Sequence, residues 1–279
     1  MIRSFAQVDV FSAQPFMGNP VAVVLDAVGL SDDDMRRIAV WTNLSETTFV
    51  LPPTHAEADY RLRIFTPGGE LPFAGHPTLG SAHAWLEAGG VPLRPGWLRQ
   101  ECGVGLVELR CGQTMAFAAP PTTRTGPLDD NLLEGLAAGL GVAREAILDH
   151  QWVVNGPNWL CVRLATAAEV LAIEPDTPEL AKLGVDIGII GFYPVGSEFA
   201  YETRAFALEA GVVEDPVTGS LNASIAQWLH RIGAVPDTYL VSQGARVGRA
   251  GRILIEADPD GTIWVGGATT TLIAGTITA

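Results

Sequence analysis

The stretch ELPFAGHPTLG, residues 70–80, sets His76 between Gly75 and Pro77. Glycine tolerates positive φ and proline at the first helical position loses no hydrogen bond, so His76 is expected at the mouth of a helix. The first turn of a helix carries backbone N–H groups without partners, and these favour an anion. A second stretch, EDPVTGSLNA over 214–223, repeats the arrangement with Asp215, Pro216, Thr218, Gly219 and Ser220. Two such mouths facing one crevice would cradle a carboxylate or a developing enolate, with Gly75, Pro77, Thr78, Thr218 and Gly219 as its binding wall. A proton carrier is also needed. Glu46 stands immediately before the apolar run of NLSETTFVL, where partial burial would raise its pKa into a useful range. Each residue also has a plainer reading. Glu46 is then a solvated carboxylate at a strand end, His76 a packed or capping imidazole, and Asp215 and Ser220 turn and N-cap residues.

What sets the four apart is that two come from each half of a chain that repeats itself. Tyr60, Arg63 and Phe65 are answered by Tyr201, Arg204 and Phe206 about 140 residues later. Phe49 is matched with Phe192, and GNPVAVVL (18–25) with GPNWLCVRL (156–164). GSAHAWLEAGG (80–90) is matched with ASIAQWLHRIG (223–233), pairing Trp85 with Trp228. The join falls in the Pro/Thr/Gly-rich stretch 118–130. Ser31 with Asp34, and Thr166 with Glu169, predict capping boxes, and Thr177-Pro178-Glu179 opens another helix. The segment after each candidate mouth is nearly free of charge, as befits a helix enclosed on all sides. The predicted class is α+β: short strands curled around one buried helix per half, or two ordinary α+β domains with core helices.

Composition narrows the partners. The 279 residues carry a formal net charge of −14, which repels nucleic acid and anionic membrane and leaves a small molecule as the expected partner. Cys102, Cys111 and Cys161 show no CxxC spacing, which points to reduced thiols and a cytoplasmic setting. No targeting signal is read at the N-terminus, and GTIWVGGATTTLIAGTITA at the other end reads as strands. His83 follows His76 without a cluster at ligand spacing, so no metal is expected, and no nucleotide motif appears.

The segments VDVFSAQPFMGNPVAVVL, NLSETTFVLPP, YRLRIFTPGGELPFAGHPTLG, EDPVTGS and QGARVGRAGRI resemble, in this order and over essentially the whole chain, the PhzF-like phenazine-biosynthesis family. The resemblance implies a diaminopimelate epimerase-like fold of two pseudo-symmetric domains, each a β-barrel around a central helix. The first would cover 1–118 and be completed by strands near 265–279, and the second would cover 119–264. It further implies a cofactor-free isomerase or epimerase, commonly homodimeric, whose founding activity isomerises a dihydro-hydroxyanthranilate. By motif, Glu46 falls on the general acid/base, while His76, Asp215 and Ser220 fall on residues that position substrate and assist proton transfer. Asp215 is expected to orient His76 or a substrate amine or hydroxyl. Related racemases of this fold use a cysteine at each helix mouth, and neither motif here contains one. Leu208 and Leu221 depart from the family pattern and are expected to reshape the pocket wall. Two rivals stand beside the isomerase: a non-catalytic small-molecule binding protein, and a serine hydrolase built from His76, Asp215 and Ser220, for which no GxSxG surrounds Ser220.

Overall fold

In the computed structural model, which describes residues 1–112, 114–209 and 211–279, strands and two buried helices alternate in a repeated order. The first half runs β1 (Ile2–Val10), β2 (Asn19–Val24), α1 (Asp32–Thr42), β3 (Glu46–Leu51), β4 (Tyr60–Thr66), β5 (Gly69–Leu71), α2 (Gly75–Glu87), β6 (Trp97–Cys102), β7 (Gly105–Cys111) and β8 (Met115–Ala118). The second runs α3 (Asp130–Leu140), β9 (Asp149–Trp152), β10 (Trp159–Thr166), α4 (Ala167–Ala172), α5 (Thr177–Ala181), β11 (Asp186–Phe192), β12 (Tyr201–Ala207), β13 (Val212–Asp215), α6 (Gly219–Arg231), β14 (Thr238–Gln243) and β15 (Gly251–Ala257). β16 (Ile263–Gly267) and β17 (Thr269–Thr278) then return to pair with β8 and β1.

The fold is α+β with mixed pairing: β2–β3, β4–β6, β10–β11 and β12–β14 are parallel, and the other pairs are antiparallel. Hydrogen bonding forms one continuous band, from β17 through β1, β2, β3, β4, β6, β7 and β8 to β16, β15, β14, β12, β11, β10 and β9. Among the described residues the band does not divide into two rings closed by hydrogen bonds. It bends around α2 instead, so that β1, β2, β3, β4, β8 and β17 all touch that helix. Small residues permit this: a Cβ on Gly80 would stand 2.3 Å from a methyl of Val21. The charge-free segments of α2 and α6 are buried on nearly every side, as their composition requires.

Strand register fixes which residues of the two halves correspond. Thr47 lies opposite Phe65, and Ile187 lies opposite Phe206. Phe65 and Phe206 are repeat partners, so the residues preceding Thr47 and Ile187 correspond as well: Glu46 and Asp186. The neighbouring strands agree, with Val21 beside Glu46 and Trp159 beside Asp186. Two of the sequence matches move. Phe49 corresponds to Ile189, each facing the repeated arginine, and not to Phe192. α2 and α6 start at Gly75 and Gly219 and are followed by left-handed Gly89 and Gly233, so Trp85 corresponds to Leu229. A Trp-Leu pair displaced by one position in the second helix draws the identity match out of register.

The helix starts follow side-chain acceptors. Ser31 and Asp34 form the expected capping box of α1. Thr166 caps α4 by accepting from the Glu169 N–H, but the Glu169 carboxylate turns to the Ala165 N–H and leaves the box half-made. α5 is capped by Asp176, one residue before the expected Thr177. No helix was expected over α3, whose Gly135 and Gly139 weaken the helical pattern. Both glycines admit leucines from α5 and the turn behind it, since a Cβ there would meet Leu183 at 2.7 Å and Leu180 at 2.5 Å. Among the described residues no helix is long and apolar enough to cross a membrane.

Candidate active site

α2 and α6 meet end to end. A Cβ on Gly75 would stand 2.7 Å from Gly219 Cα, so only glycines allow the two backbones this approach. Neither N-cap residue, Ala74 or Thr218, closes its helix with a side chain. First-turn N–H groups of both helices therefore open on one cavity of about 40 Å³. Glu46, Gly75 and His76 line it from the first half, and Asp186, Asp215 and Ser220 from the second. Thr218 and Gly219 line it too. Pro77 and Thr78, expected in the binding wall, do not. The helix has already turned them inward, where the Thr78 hydroxyl donates to the Ala74 carbonyl at 2.9 Å and accepts from Gln100.

Glu46 and His76 approach closely. Oε2 of the carboxyl lies 3.3 Å from Nε2 of the imidazole, with side chains 13% and 3% exposed. Neither atom has a hydrogen-bond partner among the described residues. Burial pushes the imidazole pKa down to about 3, against a rise from a backbone hydrogen bond to Pro20, which disfavours an ion pair here. Burial, together with the charge of Asp215, raises the Glu46 carboxyl well above the ordinary glutamate range.

Asp215 is held by three donors: Asn19 Nδ2 at 2.9 Å and Ser45 Oγ at 3.2 Å on Oδ1, and Thr218 Oγ1 at 2.6 Å on Oδ2. Burial lifts its pKa to about 6 against these bonds. It makes no direct bond to His76, the first of the two partners expected for it from the sequence; the other, a substrate amine or hydroxyl, stands as an expectation. Asn19 stands between Asp215 and His76, its Nδ2 2.9 Å from Asp215 Oδ1, 2.9 Å from the Val217 carbonyl and 3.1 Å from His76 Nδ1. An amide nitrogen has two hydrogens, and the two shorter contacts use them. The imidazole also has a backbone hydrogen bond to Pro20, and its Nε2 faces the Glu46 carboxyl.

Ser220 is engaged elsewhere. Its hydroxyl accepts from the Trp159 indole at 3.2 Å, and its carbonyl accepts from Asn155 at 2.9 Å. No hydrogen bond among the described residues joins it to His76, which removes the geometric basis of a serine hydrolase. Leu208 and Leu221 do not shape the cavity wall. Leu221 is fully buried against Gly188, whose missing side chain makes room for it, and half-buried Leu208 packs against the core of the second half. The three cysteines are free thiols outside the cavity lining. Among the described residues no three His, Cys, Asp or Glu side chains converge as metal ligands, and no lysine or arginine lines the cavity.

Asn19, Ser45, Trp159 and Asp186 were not among the sequence candidates. Asp186 could have been found from the strand pairing, since it is the counterpart of Glu46; the Phe49–Phe192 match hides it by setting Glu46 against Ile189. Its carboxyl is buried, and Oδ1 accepts from the Glu209 N–H at 3.1 Å. Burial raises its pKa from 3.8 to about 6, with the Glu209 and Asp215 charges adding to the rise. A carboxyl raised in the folded state favours folding while it is protonated and loses that contribution as pH climbs from about 4 through 6. Asp186→Asn cannot titrate. Relative to wild type it should gain on the order of 3 kcal/mol of unfolding free energy between pH 4 and pH 7, read by urea denaturation at the two pH values. Parallel stability profiles would contradict the assignment.

The family described as phenazine biosynthesis-like protein, PhzC-PhzF, matches residues 8–276. Antisense-enhancing sequence 1 of Schizosaccharomyces pombe is 36% identical over 98% of this chain and 98% of its own length. Trans-2,3-dihydro-3-hydroxyanthranilate isomerase of Pseudomonas aeruginosa is 35% identical over 93% of this chain and 92% of its own length. The crystal structure of a PhzF-family phenazine biosynthesis protein from Bacillus anthracis superposes with a TM-score of 0.84, covering 100% of both chains at 23% identity, and so shares the fold.

Proposed function

Since the chain belongs to the phenazine biosynthesis-like PhzC-PhzF family and is an isomerase, we propose that it moves a proton on a small carboxylate-bearing metabolite, with Glu46 as the acid/base. The observation that carries this reading is the unpartnered Glu46–His76 contact at 3.3 Å beside two open helix mouths. Glu46 as carboxylate removes a proton from carbon, and as the acid it returns the proton to another position. Its raised pKa suits both steps, because a weakly stabilised carboxylate is a stronger base and its acid survives near neutral pH. Neutral His76 receives or lends a hydrogen bond without carrying charge. First-turn N–H groups of α2 and α6, with Ser220, hold the oxyanion that develops when the electron pair enters the substrate. Asp215, fixed by Asn19, Ser45 and Thr218, keeps a negative charge near Glu46 and so maintains its proton affinity.

Only a proton moves in this scheme, so it includes no cofactor. The cavity of about 40 Å³ holds a few waters at most, so the two halves must part to admit a ring-sized substrate. The substrate of the P. aeruginosa relative, trans-2,3-dihydro-3-hydroxyanthranilate, is the first compound to try. In D2O the wild-type protein should convert it with deuterium appearing on carbon by NMR. A protein that binds this compound without exchange or isomerisation would be a binding protein, and the proposal would fall.

A further inference from the structure

We infer that Asp186 is a second proton carrier, set to deliver a proton from the side of the cleft opposite Glu46. The inference rests on the proposed role of Glu46 and adds to it a direction of transfer. Three observations carry it, beginning with symmetry. Strand register makes Asp186 and Glu46 equivalent, each the first residue of a strand that pairs in parallel with the strand two elements or more before it. Gly75 and Gly219, also equivalent in the repeat, meet each other, and a twofold relation of the halves through that contact would set the two carboxyls on opposite sides of the paired helix mouths.

The second observation is that both line the same cavity and each keeps a free oxygen. Glu46 Oε2 has no partner, and on Asp186 only Oδ1 is bonded, to the Glu209 N–H, among the described residues. Asp215 is different: both its oxygens accept, from three donors, so it serves as a fixed charge. The third is that no lysine or arginine among the described residues lines the cavity to hold these carboxyls ionised. Three carboxyls in one desolvated space without a cation cannot all be charged. With Asp215 as the fixed charge, one of Glu46 and Asp186 can stand protonated as the acid while the other serves as base.

The step balances on that basis. The Glu46 carboxylate takes the proton from a C–H bond, and the bonding pair moves into the substrate as an enolate held by the helix-mouth N–H groups. The Asp186 acid gives its proton to carbon from the other side, and the enolate pair forms the new C–H bond. The enzyme is left with Glu46 protonated and Asp186 ionised. Exchange with water restores the starting state. A substrate handled this way receives its new hydrogen from solvent and not from its own carbon.

The test uses trans-2,3-dihydro-3-hydroxyanthranilate in D2O under single-turnover conditions, with product and residual substrate read by NMR. Wild-type product should carry deuterium at the new C–H with no carry-over of the removed hydrogen. Asp186→Asn keeps the Oδ1 acceptor for Glu209 and loses the proton. It should form product roughly 100-fold more slowly or worse, while exchange of the substrate C–H continues within a few-fold of wild type. Asp186→Glu should recover part of the product rate. Product formation by folded Asp186→Asn at the wild-type rate, or wild-type product that retains the substrate's own hydrogen, overturns the inference and leaves Glu46 standing as sole carrier. Loss of exchange and turnover together in folded Asp186→Asn also overturns it, since Asp186 would then act only through Glu46. Undiminished exchange in Glu46→Gln, or none in wild type, overturns the underlying reading and this one with it.

Discussion

Glu46→Gln should lower turnover by roughly 10²- to 10⁴-fold, the range that a positioned acid/base contributes, with substrate binding almost unchanged. Glutamine fills the same volume and can still donate toward His76 Nε2, so the change removes proton exchange and little else. The wild-type rate also has a sign in pH. A base must be ionised, and burial with the Asp215 charge holds Glu46 above the ordinary glutamate range. kcat/KM should therefore rise with pH on the limb set by Glu46, displaced upward from that of a free carboxyl, and ionisation of Asp186, whose carboxyl is raised to about 6, would set a falling limb. His76, with its pKa lowered to about 3, adds no limb near neutrality. The glutamine variant should lose the rising limb along with the rate. Steady-state rates across pH, with calorimetric binding of the same substrate, check both parts. A glutamine variant that keeps its rate would assign the chemistry to another group.

Gly75→Ala is the second large effect. The added methyl would stand 2.7 Å from Gly219 Cα and C and 2.8 Å from the Ser220 nitrogen. Those neighbours are backbone at the start of a buried helix and cannot rotate away. Overpacking of this kind costs about 1–3 kcal/mol, and here the strain is relieved only by moving α2 from α6. That movement separates His76 from Ser220 and spreads the two sets of N–H donors, so activity should fall by more than the stability loss alone explains. Gly219→Ala meets Gly75 in the same way, at 2.9 Å from its Cα. The double variant should then cost less than the sum of the singles, because the first methyl has already opened the gap. Urea denaturation and turnover of all three proteins make the comparison. Additive, independent costs would show that the two mouths are not in mutual contact.

Much of this site is legible in sequence because its parts are local. His76 and Ser220 lie in glycine- and proline-marked helix starts, and both helices advertise their burial through missing charge. Glu46 is marked by the apolar strand behind it. Asn19 and Asp186 carry no such mark. Asn19 matters because it reaches Asp215, Val217 and His76 at once, which only the packed fold brings together. Asp186 begins a strand as ordinary aspartates do, and its importance comes from pairing. Matching identical residues placed Phe49 on Phe192 and Trp85 on Trp228, whereas hydrogen-bond register and helix caps place them on Ile189 and Leu229. α3 carries a weak helical pattern because Gly135 and Gly139 make room for leucines from α5 and the turn behind it. Leu208 and Leu221 looked like pocket residues, yet both pack away from the cavity.

The pairing of β1 with β17, in which Ile2 lies opposite Thr278, bears on how the chain comes to be folded at all. During synthesis the first strand emerges early, yet its partner is translated only after the whole second half. Until then one edge of β1 is open and the wall around α2 lacks a member, so the N-terminal half on the ribosome is incomplete and exposed to misassociation. Closing so long a loop also places this contact late in folding, after local hairpins such as β6–β7 have formed.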